Sequence, residues 1–181
     1  MKDIRSRRRD MSWKTLTLTY ALTGALATLS ASTLAQDSKG IILYKEGKFR
    51  EASRVLKIQV ESEPKNELSL TYLGLARVHS GDAPGAVEPL KKAIELNEKN
   101  AKAHYGMGLA SAKLGKLDDA IVELEKTCAL APDDAYAHYH LGMAYNQKGK
   151  KDLAIPHLRR FVELDPDAPE APAVRSFLSN M

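Results

Sequence analysis

The side chains that could perform catalysis or bind a metal are few in this chain of 181 residues. Cys128 is the only cysteine, which excludes a disulfide framework, a cysteine zinc cluster and a Cys-x-x-Cys redox pair. We expect it to be a packed thiol inside a helix; a reactive or dimer-forming thiol is the alternative. His138 and His140 are two positions apart, so they point to opposite sides of a helix and make a poor metal site. His104 and His138 occupy equivalent inward positions and are expected to stack in the core.

The acidic pairs Asp118-Asp119 and Asp133-Asp134 are the remaining candidates for acid–base chemistry. Both pairs fall at predicted helix starts or turns, where carboxylates cap unpaired N–H groups, so we interpret them as caps. The sequence contains no glycine-rich phosphate loop, no His-Glu-x-x-His and no Gly-x-Ser-x-Gly. We therefore predict a protein that is not an enzyme and has no catalytic, cofactor-binding or metal-binding residues; an enzyme with an unrecognised site is a further hypothesis.

The charge of the chain is concentrated at its N-terminus. The net charge is +4, and residues 1–35 account for it with six basic and two acidic side chains. The other 146 residues hold 21 side chains of each sign. The whole chain has an ordinary soluble-protein composition, with 44% apolar and 28% charged residues. A basic nucleic-acid footprint is therefore absent from the remainder, and no nucleic-acid partner is expected.

Residues 1–35 have the pattern of a signal peptide. Residues 2–9 are rich in arginine, residues 16–35 carry no charge, and small residues close the run before Gln36. We predict cleavage after Ala35, with an earlier exit at residues 25–27 as an alternative, and a periplasmic location. A retained inner-membrane anchor facing the periplasm is the other interpretation, because 20 uncharged residues meet the roughly 20 needed to span a bilayer.

The remaining chain repeats itself every 34 residues. A fixed period of this size indicates one supersecondary unit stacked on itself, an arrangement that usually makes a binding surface. Eight of the eleven glycines belong to the two repeating glycine columns. The columns are glycine at 40, 74, 108 and 142, glycine at 47, 81, 115 and 149, alanine at 52, 86, 120 and 154, and leucine at 56, 90, 124 and 158.

Each unit is predicted to be a pair of helices. In the unit 101–134, the helices cover 101–114 and 117–130, and Gly115 makes the turn because glycine adopts the left-handed conformation without penalty. The glycine inside each first helix is expected to let the paired helices approach at the alanine column, with large side chains around the contact, Leu96 and Leu130 among them. The predicted units are a degenerate first repeat at 36–66, three repeats at 67–100, 101–134 and 135–168, and a capping helix at 169–181.

The columns resemble the tetratricopeptide repeat family. The strongest copy carries Leu141-Gly142, Tyr145, Gly149, Ala154 and Pro166 at the family's positions, and the resemblance covers residues 37–168. It departs from the family where histidine or leucine replaces the first-helix tryptophan. The resemblance implies an all-α fold, a right-handed α-α superhelix of about four helical hairpins with a C-terminal capping helix.

The resemblance also implies where a ligand would bind, because the inner helices of these repeats line a concave groove for peptides or helices. We therefore predict a non-catalytic scaffold or adaptor in the cell envelope with a protein or peptide partner. Leu75 and Leu109 could instead pack between helices. Some members of the family hold their ligand with a clamp of lysine and asparagine side chains; the corresponding early positions here are Thr71 and Leu75, so this clamp is not present. The alternative function is a self-associating structural component, a homo-oligomer built through the same repeats. The predicted groove residues are Tyr44, Thr71, Leu75, His79, Lys102, Tyr105, Leu109, Lys113, Tyr136, Tyr139, Met143 and Asn146.

Overall fold

The structure, a computed structural model, describes residues 39–180 as a succession of helices without a strand in that range. The predicted signal peptide lies outside the described residues. The first helix, α1, covers residues 39–45 of the described range. The others are α2 (Phe49–Ser62), α3 (Glu67–Ser80), α4 (Ala83–Leu96), α5 (Ala101–Lys113), α6 (Leu117–Leu130), α7 (Ala135–Gln147), α8 (Lys151–Leu164) and α9 (Ala171–Ser179).

The hairpins α1–α2, α3–α4, α5–α6 and α7–α8 share the same turn signal, and the last three also share a start signal. Each turn contains a glycine with positive φ, for example 94° at Gly81 and 77° at Gly115, a conformation that other residues adopt only at a cost. Helices α3, α5 and α7 begin after a capping side chain: the oxygens of Asn66, Asn100 and Asp134 accept the N–H of the residue three positions later. Successive caps are 34 residues apart, so a helix begins at the same point of each sequence repeat.

The glycines inside the first helices allow the close approach that the sequence predicts, although the nearest neighbour is not alanine. A Cβ added at Gly108 would lie 2.7 Å from Cγ of Leu124, and one at Gly142 would lie 2.7 Å from Cγ of Leu158. The carbonyl oxygen of Ala120 is farther away, at 3.4 Å from the same point beside Gly108. Each glycine therefore makes room for the leucine of its own hairpin.

The core runs along the array between successive hairpins. Leu56, Leu90, Leu124 and Leu158 are at most 1% exposed and form its spine. Two leucines that we expected around this contact are instead at the surface, since Leu96 is 45% and Leu130 is 40% exposed. Both stand at the last position of the second helix of a hairpin.

Helix α9 closes the C-terminal end of the array. Ala171 and Val174 are buried, and they join the same cluster as Phe161, which is fully buried. The size of Phe161 is accommodated because its neighbour is this short helix. Within residues 39–180, the helices are too short or too polar for any of them to traverse a bilayer.

Candidate functional site

An aromatic cluster surrounds the first half of α7. His140 is the centre of this cluster, with ring centroids 5.8 Å from Tyr105, 5.1 Å from Tyr139 and 6.4 Å from Tyr136. Tyr136 and Tyr139 also pack against the ring of Phe161, at 5.9 and 5.0 Å. The two tyrosines are thus held in place by ring contacts before any ligand arrives.

The side chains of this cluster are partly buried, which changes the pKa values of His140 and Tyr136. Burial, together with the nearby His79, lowers the pKa of His140 to about 4, so its ring is uncharged at neutral pH. The hydroxyl of Tyr136 donates to the carboxylate of Glu170 at 3.1 Å, which ties α7 to the segment before α9. Burial, and then this hydrogen bond, raise the pKa of Tyr136.

Tyr105 joins different parts of the core. It packs against all three of the buried clusters that make up the array, and burial raises its pKa. Tyr105 is therefore as much a packing residue as a surface for a ligand.

A second aromatic group lies where the first two hairpins meet. The ring of Tyr44 contacts Phe49, Tyr72 and His79 at centroid distances of 5.4, 5.2 and 5.8 Å. The ammonium group of Lys102 lies 5.9 Å from the centroid of Tyr72, a cation–π contact. Burial and the neighbouring Tyr72 raise the pKa of Tyr44 to about 12.

Two clefts flank α7. The α5–α7 cleft has a volume of about 410 Å³ and includes Ala112, His140 and Gln147 in its lining. The α7–α9 cleft has a volume of about 400 Å³ and includes Tyr139, Ala173 and Phe177. Met143 and Asn146 line both clefts, and Met143 is 42% exposed. Helix α7 is therefore a ridge with an apolar recess of ligand size on each side.

Contrary to the prediction from the sequence, three of the predicted groove residues are not available to a ligand. Thr71 and Leu75 are 1% exposed and Leu109 is 7% exposed, so these side chains are mainly helix packing. The hydroxyl of Thr71 donates to the Glu67 carbonyl at 2.9 Å and accepts from Nδ2 of Asn100 at 2.8 Å, which satisfies it internally. Leu109 reaches only the floor of the α5–α7 cleft.

The other predicted residues keep surface that a partner can contact. Lys102, Lys113 and His79 are exposed, and burial and then the Lys113 charge lower the pKa of His79. Partly exposed are Tyr44, Tyr105, Tyr136, Tyr139 and Asn146.

Sequence reasoning missed the residues that complete these surfaces. Tyr72 and His140 share one column of the repeat with Gly106, and this column points toward the preceding hairpin. Its aromatic, small, aromatic alternation was the available signal. The contribution of α9 through Ala173 and Phe177 had no equivalent in the repeat pattern.

The two buried histidines each have a partner 19 residues later in place of the mutual stack that the sequence predicted. Nδ1 of His104 lies 2.6 Å from a carboxylate oxygen of Glu123. Nδ1 of His138 lies 3.0 Å from Nδ1 of His157, and their rings stack at a centroid distance of 5.3 Å. Sγ of Cys128 is 3.8 Å from the same nitrogen of His138. Cys128, His138 and His157 therefore offer three potential metal ligands whose donor atoms lie within 4.8 Å of one another.

Profiles of known repeats match the chain over most of the described array. A tetratricopeptide repeat profile matches residues 105–169, and a TPR repeat profile matches residues 74–115. No curated protein sequence matches the chain significantly.

Solved structures resemble the chain along most of its length. A crystal structure of MamA is 28% identical over 78% of this chain and 82% of that chain, with a TM-score of 0.66. The MamA structure designated MSR-1 C2 is 30% identical over 70% of this chain and 73% of that chain, with a TM-score of 0.58. YrrB, described as a TPR protein with an unusual peptide-binding site, is 24% identical over 90% of this chain and 88% of that chain, with a TM-score of 0.66, which indicates a shared fold. With its 34-residue helical hairpins, its repeat profiles and these structural relatives, the chain belongs to the tetratricopeptide repeat family.

Proposed function

We propose that this protein is a scaffold that binds a peptide or helix of a partner protein against α7. The observation that carries the proposal is that Met143 and Asn146 stand between two clefts of about 410 and 400 Å³, on a helix whose tyrosines are already fixed. A bound peptide could place one side chain in each cleft while its backbone crosses α7 between them. The fold itself is generally a non-catalytic protein-interaction fold.

The chemistry of these clefts suits an apolar segment with a polar backbone. Met143 offers an adaptable apolar contact, and the nearby tyrosines lose little conformational freedom when a ligand binds. The side-chain amides of Asn146 and Gln147 can donate to and accept from a peptide backbone. YrrB is described as having a peptide-binding site, which supports the same kind of ligand for a chain with this fold.

A random-peptide selection on the full-length chain tests this function. Peptides that bind the unaltered chain should lose at least about tenfold in affinity for the Met143→Glu variant, because a buried charge in an apolar contact is costly. Fluorescence anisotropy of the labelled peptides measures the loss.

The matched control is Leu153→Glu on α8, since Leu153 is 47% exposed and lies outside the linings of both clefts. This variant should bind the peptides as the unaltered chain does. Equal binding by all three proteins, or a loss confined to Leu153→Glu, would place the ligand away from α7.

We also propose that the protein is exported and cleaved after Ala35, on the basis of the basic and uncharged segments of residues 1–35. Expression in a bacterial host followed by intact-mass measurement of the periplasmic fraction should give a chain that begins at Gln36. The Ala35→Leu variant should block this cut. A full-length mass in the membrane fraction for the unaltered chain would favour the retained anchor.

Self-association is the second candidate, favoured by apolar side chains exposed on the first hairpins. Ile42, Ile58 and Leu68 are 51%, 64% and 52% exposed. If these residues join copies of the chain, light scattering should show a mass that rises with concentration and falls in an Ile58→Glu variant. A constant monomer mass across the micromolar range would leave peptide binding as the function.

A further inference from the structure

The cluster of Cys128, His138 and His157 lies where three helices meet, α6, α7 and α8. We propose that these three side chains bind a transition-metal ion of the zinc class, a function that the peptide-binding role does not include. His138 is 9% exposed, while Cys128 and His157 are partly exposed, so an ion could enter from the surface. Zn²⁺ prefers thiolate and imidazole ligands, whereas hard cations such as Mg²⁺ prefer oxygen ligands.

The orientation of His138 leaves a lone pair directed at the proposed ion. Its Nε2 lies 3.0 Å from the carbonyl oxygen of Pro132, which can only accept, so Nε2 carries the proton and donates. Nδ1 of a neutral His138 then has a free electron pair facing His157 and Cys128. A backbone carbonyl that fixes the other ring nitrogen in this way is the usual second partner of a metal-bound histidine.

The distances between the donor atoms match a shared ion. Zn–N and Zn–S bonds in a tetrahedral site imply separations of about 3.3 Å between two nitrogens and about 3.6 Å between nitrogen and sulfur. The corresponding distances are 3.0 Å from His138 to His157 and 3.8 Å from His138 to Cys128. The third separation, from Cys128 to His157, is at most 4.8 Å, so a movement of up to about 1 Å would complete three ligand bonds. A fourth position is left for water or a partner's side chain.

The surrounding charges also favour a cation. The carboxylates of Asp134 and Glu125 interact electrostatically with Cys128. The same negative charges stabilise a bound dication. On binding, the thiol proton leaves to solvent and the sulfur electron pair bonds the metal; the proton of His157 resides on Nε2, so that both imidazoles bind neutral.

A hydrogen bond between the two histidines would also satisfy a 3.0 Å distance, so metal binding has to be measured directly. The full-length chain, produced without a histidine tag, reduced and stripped with a chelator, is titrated with Co²⁺ and then with Zn²⁺. We expect one ion per chain, visible Co²⁺ bands of tetrahedral coordination with a thiolate charge-transfer band, and displacement by Zn²⁺. At a hundredfold excess of Zn²⁺ over its Kd, the melting temperature should rise by about 5–10 °C.

The matched control is the double variant Cys128→Val with His157→Glu. It follows the preceding repeat, where Glu123 pairs with the equivalent His104 and the β-branched Ile94 stands at the position of Cys128, so it should remain folded. Its metal affinity should fall at least about 100-fold, beyond the 10- to 100-fold typical of losing a supporting residue. The single variant Cys128→Val should lose the charge-transfer band. The proposal would be overturned if the folded, reduced, unaltered chain bound no ion at micromolar concentrations. It would also be overturned if the double variant bound the ion as tightly as the unaltered chain.

Discussion

The junction of α4, α5 and α6 and the junction of α6, α7 and α8 are the same structure with different side chains. In the first, His104 lies between the Glu98 carbonyl at 2.9 Å and the Glu123 carboxylate at 2.6 Å. In the second, His138 lies between the Pro132 carbonyl and His157. The pairs are offset by one 34-residue repeat, so the backbone places each histidine in the same way.

The difference lies in what each histidine can bind. Both neighbours of His104 are oxygen atoms that accept hydrogen bonds, a carbonyl and a carboxylate. His138 has one acceptor, and its other neighbours, His157 and Cys128, can donate or share an ion. The third position of the first junction is Ile94, which has no ligand atom. One scaffold thus presents a histidine–carboxylate pair in one repeat and three potential metal ligands in the next.

The largest loss of stability is expected from breaking the contact between a first-helix glycine and the leucine of the same hairpin, which both junctions contain. Replacing Gly108 by leucine should destabilise the fold by at least about 3 kcal/mol, because even a Cβ would lie 2.7 Å from Leu124. Urea denaturation followed by circular dichroism measures this loss. In contrast, Gly81→Ala has open space around the new Cβ and should cost only about 1–2 kcal/mol from its φ of 94°. Equal losses in the two variants would mean that helix approach is not the constraint.

The two junctions can be made alike by substitution. Ile94→Cys with Glu123→His gives the first junction the ligands of the second, so the stoichiometry of Zn²⁺ should rise from one to two ions per chain. Competition with a coloured chelator counts the ions. If the second junction binds Zn²⁺ and the converted junction does not, then the repeat geometry alone is insufficient and Glu125 or Asp134 is required.

The hydrogen bond between His104 and Glu123 at the first junction can be tested by removing one partner. Glu123→Ala leaves buried His104 without its acceptor and should cost about 1–3 kcal/mol, whereas Glu123→Gln keeps an acceptor and should cost less than half as much. Denaturant midpoints compare the two variants. If both cost the same, the hydrogen bond to His104 contributes little and the exposed Lys126 pairing explains the loss.

His79, which is at neither junction, should give the smallest effect. Burial and Lys113 lower its pKa from 6.5, so the unfolded chain takes up this proton more readily than the folded protein. Its contribution to stability is therefore present above about pH 6.5 and is lost as the pH falls below it. Because the side chain is exposed, we expect less than about 1 kcal/mol. The free energies of unfolding of the unaltered chain and the His79→Gln variant, compared at pH 7.5 and pH 5, isolate this contribution. Parallel pH profiles of the two proteins would contradict the prediction.

The repeat pattern predicted the architecture because its signals are local. A glycine at a turn and a cap such as Asn100 act within a few residues, and the 34-residue period repeats them. The groove was harder to predict, since Leu75 and Leu109 are apolar whether they pack or bind. Their burial depends on how tightly neighbouring hairpins curve, which no single repeat encodes.

The metal-ligand cluster was missed for a different reason. Cys128, His138 and His157 come from three helices, and the sequence pattern drew attention to the nearer pair His138 and His140. Aligning positions 94, 104 and 123 with 128, 138 and 157 would have shown isoleucine, histidine and glutamate changing to cysteine, histidine and histidine. Such a change within otherwise constant columns is the signal to seek in other arrays.

Helix α9 has one further consequence for how such a chain could evolve. It covers the last hairpin with Ala171 and Val174, and it supplies Ala173 and Phe177 to one wall of the α7–α9 cleft. Insertion of another hairpin between α8 and α9 would keep the last hairpin covered but would rebuild that wall from new residues. If the α7–α9 cleft holds the proposed peptide, a change in the number of repeats would also change which peptides fit.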